Sequence, residues 1–156
     1  MTKRAISFAV ICLVFTGLYG HAFGEDAGGT WTTEIEAKIE KIRAEPDPMA
    51  RYQLASELPG LAKHASTSDP DRIDDGTIAD IAQLLHSNDD AVRYWAALAL
   101  GQLGPRATVA VPELETALEE AELRDKLSIV GPELSTADGT REALRKITGR
   151  AYEPNR

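Results

Sequence analysis

Apolar residues recur at helical spacing in three stretches of the chain. In TTEIEAKIEKIRAE the stripe is Ile35, Ile39 and Ile42; in GTIADIAQLLH it is Ile78, Ile81, Ala82 and Leu85. In VAVPELETALEEAE it is Val111, Leu114, Ala117, Leu118 and Ala121. Glu, Lys and Asp fill the opposite faces, so all three predict amphipathic outer helices that bury one side. Pro112 suits a first helical turn, where its missing N–H costs nothing.

Each stripe is followed by a helix of a different kind, clearest in DDAVRYWAALALGQLG, residues 89–104. Val92, Trp95, Ala96, Ala99 and Leu103 share one face, the core face, but Tyr94, Ala97, Leu98 and Gly101 make the other side apolar too. A helix apolar nearly all round needs neighbours on several sides. Asp89 and Asp90 open it, where carboxylates suit the positive end of the helix dipole. Asp89 can pair with Arg93 one turn on, and Gly101, Gly104 and Pro105 are expected to end the helix.

This helix has copies. Shifted by 42 residues, DPMARYQLASELPG (47–60) aligns without gaps: Asp47 with Asp89, Arg51 with Arg93, Tyr52 with Tyr94, Ala55 with Ala97 and Leu58 with Leu100, with the breaker Pro59 at the position of Gly101. A fainter copy lies 48 residues further on, where Asp138, Arg141 and Gly149 answer Asp90, Arg93 and Gly101. Ala143, Leu144 and Ile147 take the places of Trp95, Ala96 and Ala99. Three helix pairs at a period of about 40 residues predict an all-α fold, a short α-solenoid. The units run roughly over 31–60, 76–104 and 108–149, within a repeat domain of 25–149. Two insertions interrupt the period, at 64–76 and 122–139; Leu127, Ile129 and Val130 predict that the second folds back on the stack. Residues 150–156 are expected to form a loose tail, with Tyr152 able to pack on the last helix.

Residues 78–118, IADIAQLLHSNDDAVRYWAALALGQLGPRATVAVPELETAL, resemble a HEAT repeat of the bacterial type first described in phycobilisome lyases. The resemblance rests on the Leu-rich first helix, the Asp89–Asp90 turn, Val92–Arg93, the Ala-rich second helix and Gly101 to Gly104. It implies that the second helices line a concave side, and that acidic and Arg side chains form a ladder between units. It also raises a second reading, a lyase-like or accessory protein handling a tetrapyrrole-type group, against which stand the short chain and the lack of conspicuous cofactor ligands.

The N-terminus carries a further pattern. Lys3 and Arg4 precede the apolar run AISFAVICLVF and the small residues of TGLYGHAFG, which together predict an export signal over residues 1–24, cleaved after Ala22 or Gly24. An uncleaved membrane anchor is the alternative, since no charge falls between Ala5 and Gly24. Without those residues the chain has no cysteine, which excludes disulfides, thiol nucleophiles and Cys metal sites. Export also moves the formal net charge from −8 to −10, because two basic residues and no acids are removed. So acidic a body repels phosphate backbones and anionic lipid, which excludes nucleic acid as a partner and stable membrane insertion of the mature chain.

Candidate chemistry is sparse. The acidic run Asp69–Gly76 fails the calcium-loop pattern, with Ile73 fifth and Asp74 sixth when counted from Asp69. His64 and His86 stand alone near predicted helix ends, without the partners a zinc site needs. No GxSxG, P-loop or dinucleotide fingerprint is present. We therefore expect no catalytic residues, no metal and no cofactor, and a protein partner held on the concave helix face. Tyr52, Tyr94, Arg51 and Arg93 are the candidate contacts, being of the types that anchor interfaces. Local pairing of the arginines with Asp47 and Asp89, and packing of the rings between units, are the competing roles. Asp47, Asp89, Asp90, Trp95 and Gly101 are read as structural.

Overall fold

The computed structural model describes residues 29–68, 73–127 and 135–152. The expected export signal, residues 69–72 and 128–134 of the two insertions, and residues 153–156 lie outside the described residues. Seven α-helices and no strands are present among those described: α1 (Gly29–Ala44), α2 (Pro48–Ser56), α3 (Leu58–Ser68), α4 (Asp75–Gln83), α5 (Asp90–Leu103), α6 (Val111–Leu127) and α7 (Thr136–Thr148). Short 3-10 segments extend α4 (Leu84–His86) and join α5 to α6 (Gly104–Ala110). None of the described helices is long and apolar enough to cross a membrane.

The helices stack as an α-solenoid. Outer helices α1, α4 and α6 each pack on an inner partner, and the inner layer runs α2/α3, α5, α7. The stripes read from sequence are buried, apart from the half-buried Val111: Ile35, Ile39 and Ile42 on α1, Ile78, Ile81 and Ala82 on α4, then Leu114, Ala117, Leu118 and Ala121 on α6. Helix α5 is the hub, in contact with α2, α3, α4 and α7. Its alanines explain how: Ala96, Ala97 and Ala99 are fully buried on different sides, and their short side chains let several neighbours close in.

Aspartates start the helices. The side chains of Asp47, Asp74 and Asp89 accept from the backbone N–H groups of Ala50, Thr77 and Ala91 at 2.8, 2.7 and 3.0 Å, each satisfying a donor the first turn leaves unpaired. Ser135 does the same for α7 through Asp138 N–H.

The stops differ from expectation. Pro59 does not end the first unit. With no N–H to offer the carbonyl of Ala55, it breaks the ladder at Glu57, and the chain then re-enters a helix with Pro59 in the first turn of α3. The unit therefore continues to Ser68, into what the sequence suggested was an insertion. Gly101 does not stop α5 either. It lies inside the helix, and Gly104, at φ +58°, terminates it. Gly104 is thus a stop as expected, and Gly149, left-handed at φ +70°, ends α7. Leu127 is exposed at the end of α6 and does not fold back on the stack. Tyr152 is half-buried against the core, and its hydroxyl donates to Glu115 at 3.1 Å.

Candidate binding surface

The open side of α5 is a single stripe. Ala91, Tyr94, Trp95, Leu98 and Gln102 are half-buried, while Val92, Arg93, Ala96, Ala97, Ala99, Leu100, Gly101 and Leu103 are buried. Trp95, placed on the core face by its spacing, thus belongs to the open stripe beside Tyr94. The spacing could not show this because α5 is apolar all round, and only its neighbours decide which side stays open.

Three rings cluster on this stripe. Tyr52, on α2, meets Trp95 edge-on at 5.9 Å between ring centres and 79° between planes. Tyr94 meets the same indole at 5.0 Å and 74°. The Trp95 indole N–H is buried and has no acceptor among the described residues. Each tyrosine also leans on the following unit. Tyr52 packs on α5, and Tyr94 lies so close over α7 that a Cβ on Gly139 would fall 2.9 Å from its ring. Sequence reasoning missed Gly139. Its signal was available, because the position 48 residues earlier holds the similarly small Ala91.

The arginines are placed differently. Arg51 donates through Nε and Nη2 to the carbonyl of Glu45 at 2.9 and 2.7 Å, and through Nη1 to Asp89 of the next unit at 3.1 Å. Arg93 repeats the first contact, donating to the carbonyl of Ser87, 42 residues after Glu45. Each arginine therefore pins the turn before its helix. Arg93 pairs with Asp90, and not with Asp89 as the four-residue spacing suggested. Asp89 uses one oxygen to cap α5 and the other to receive Arg51. Asp47 caps α2. Among the described residues the ladder implied by the resemblance thus has one rung between inner helices, Arg51–Asp89, and one between outer helices, Arg43–Asp80 at 3.6 Å. The next inner rung is missing because Ala137 stands where a second Asp89 would be. Arg141, the third arginine of the series, is served by Glu122 at 2.9 Å and Asp138 at 2.6 Å.

Arg93 is 5% exposed, so it cannot offer its guanidinium to a partner as expected of a concave-face contact. Burial, reinforced by nearby Arg124 and opposed by Asp89 and Glu120, pulls it below the ordinary arginine value. Arg51 is half-buried at the edge of a groove of about 610 Å³ between the turns of the first two units. The floor of the groove includes Ile42, Leu84 and Val92, and its rim includes Arg43, Gln83, His86 and Asn88. His64 is remote from it, stacked on Trp31 at 5.9 Å.

The remaining chemistry is thin. No group of three or more His, Cys, Asp or Glu among the described residues is placed to hold a metal ion. What the surface offers is three adjoining aromatic rings with apolar neighbours.

Compared with known families, residues 35–128 match HEAT repeats. No curated protein and no solved structure matches the chain.

Proposed function

Because the chain belongs to the HEAT-repeat family, we propose that it is an exported scaffold that holds another protein on the open, concave side of its inner helices and performs no catalysis itself. HEAT repeats in general serve protein interaction, and a stack of rigid helix pairs presents an extended surface suited to it. The observation that carries the reading is the row Tyr52–Trp95–Tyr94 with Leu98 beside it, half-exposed where α2 meets the open side of α5. Clustered aromatic residues supply much contact area with little rotamer entropy to lose, which is why they concentrate at interfaces. Export is supported by the basic start, apolar run and small-residue end of residues 1–24.

Affinity capture with the full chain tests the surface. A partner retained by the parent and by Tyr52→Phe/Tyr94→Phe, but lost from Tyr52→Ala/Tyr94→Ala, places the contact on the rings. Equal capture by the alanine variant, with its helical signal intact, would move the interface elsewhere. Export is tested by the mass of the protein recovered from the envelope fraction. A chain starting after Ala22 or Gly24 is expected, whereas an intact chain in the cytosol refutes it.

A further inference from the structure

We propose that the Tyr52–Trp95–Tyr94 cluster selects a cation: it receives a Lys or Arg side chain from a basic segment of the partner. The proposal rests on the reading of this stripe as the binding surface, and it adds the chemistry of what is bound.

Ring arrangement is the first observation. The two tyrosines come from different helices and stand at 79° and 74° to one indole, so three π systems converge on a small area of surface. Each ring face carries partial negative charge, and a cation over such faces is held by the ring quadrupole, most strongly over an indole. A cluster used only for apolar contact gains nothing from a positive partner; this one does, because its rings are half-exposed.

The second observation is which member of the two ion pairs flanking Tyr94 faces water. Asp90, one turn before Tyr94, has a side chain 74% exposed, whereas its partner Arg93 is nearly buried. Asp138, next to the Gly139 that seats Tyr94, is 76% exposed against 18% for Arg141. Both pairs turn the carboxylate outward and the guanidinium inward. Beside the rings the outward charge is therefore negative, on a chain whose formal net charge is −8. Opposite charge on the partner speeds encounter and fixes its register, and like charge is repelled.

A decapeptide of alternating Arg and Gly, titrated into the full chain, tests this directly. The readout is the indole N–H resonance of Trp95, distinguished from that of Trp31 with a Trp31→Phe variant. The peptide is expected to shift the Trp95 resonance in a saturable way. Its counterpart with neutral citrulline for Arg should bind about tenfold more weakly. Tyr52→Leu/Tyr94→Leu should cause a similar loss, while Tyr52→Phe/Tyr94→Phe, which keeps the π faces, retains binding. Gly139→Ala, which pushes the Tyr94 ring off its seat, should weaken binding in a chain that still folds. Equal binding of the citrulline peptide or equal binding by the leucine variant overturns the proposal. So does an association that leaves the Trp95 resonance unmoved, since that is attraction to the acidic surface alone. A partner that is captured through the tyrosines and carries no basic segment would overturn the cation reading and leave the scaffold standing.

Discussion

Two glycines in inner helices should respond to the same substitution with opposite sign. Gly101 lies in α5 where a Cβ would sit 3.0 Å from Ala143 Cα and 3.3 Å from Ala143 Cβ. The first of these neighbours is backbone in α7, which cannot rotate away. Gly60, in the first turn of α3, has nothing within 4 Å of the Cβ it would gain. Alanine favours a helix over glycine by about 1 kcal/mol in the interior and less near an end. Gly60→Ala should therefore stabilise by about 0.5 kcal/mol. At Gly101 the same gain is opposed by overpacking, which costs about 1–3 kcal/mol when a core must open for one carbon. The net for Gly101→Ala is destabilisation by about 1 kcal/mol, and Gly101→Val should cost distinctly more.

The measurement is urea unfolding of each variant followed by far-UV circular dichroism, with m-values compared first to confirm that the same surface is exposed. A difference of ~1.5 kcal/mol between the two alanine variants corresponds to several degrees in Tm. Stabilisation by Gly101→Ala to the same extent as Gly60→Ala would refute the close approach of α5 and α7, and would return Gly101 to the role of helix stop.

The ladder is tested by a double-mutant cycle. Arg51 and Asp89 should couple by about 0.5–1.5 kcal/mol, while Arg93 and Asp89, whose charges act on each other without a direct ion pair, should couple less. A larger Arg93–Asp89 term would restore the four-residue pairing. At Trp95, Phe removes a buried indole donor that has no acceptor among the described residues, which offsets the lost area. Trp95→Phe should therefore stay within about 1 kcal/mol of the parent in thermal unfolding, against a loss of about 2 kcal/mol for Trp95→Ala. Equal losses would mean that the indole N–H does find a partner. Glu142 accepts from Nε and Nη2 of Arg145 at 2.8 and 2.7 Å, which holds its carboxyl below the ordinary glutamate value. Its contribution is therefore present above the unfolded-state value and lost as pH falls through the lower folded-state one. Glu142→Gln should flatten the acid limb of the stability profile and change stability at pH 7 by less than about 0.5 kcal/mol, because the pair is exposed. An unchanged acid limb would show that the pair is not held in solution.

The repeat was legible because it is written in residues that act locally. Asp47 and Asp89 cap their helices, and the isoleucine stripes of α1 and α4 need only helical period to be seen. What sequence misplaced depends on neighbours from other units. Arg93 was open to two readings, a surface contact or a local ion pair, because one helix wheel cannot show the neighbours from other helices that bury it. Trp95 was read as core because an all-apolar helix has no marked outside. Pro59 and Gly101 were both read as stops, yet proline also starts helices and glycine also admits a neighbouring helix. Local residue chemistry is shared by both uses, and only packing separates them.

The departures from the repeat follow one rule, which bears on what the tyrosines do. Tyr52 leans on the second unit and Tyr94 on the third, whereas the next position in that series is the charged Glu142. Gly139, which receives Tyr94, has the small Ala91 as its counterpart 48 residues earlier, whereas the first of that series is Met49, exposed at 66%. Asp89, which receives Arg51, becomes Ala137 in the third unit, and Arg141 pairs within its own unit with Glu122 and Asp138, its buried Nε finding no partner among the described residues. The ring positions are therefore part of how one unit recognises the next, and the third unit carries a polar side chain where that recognition would continue. A phenylalanine would serve the packing alone. Tyrosine adds a hydroxyl that tolerates water, which suits a ring whose inner edge is committed to the next helix and whose outer part remains open. In the proposed binding, packing and contact with a partner draw on different parts of the same side chains. Substitution to phenylalanine should spare both the stack and the π faces, whereas substitution to alanine removes both, so binding measured on the alanine variant has meaning only beside its unfolding curve.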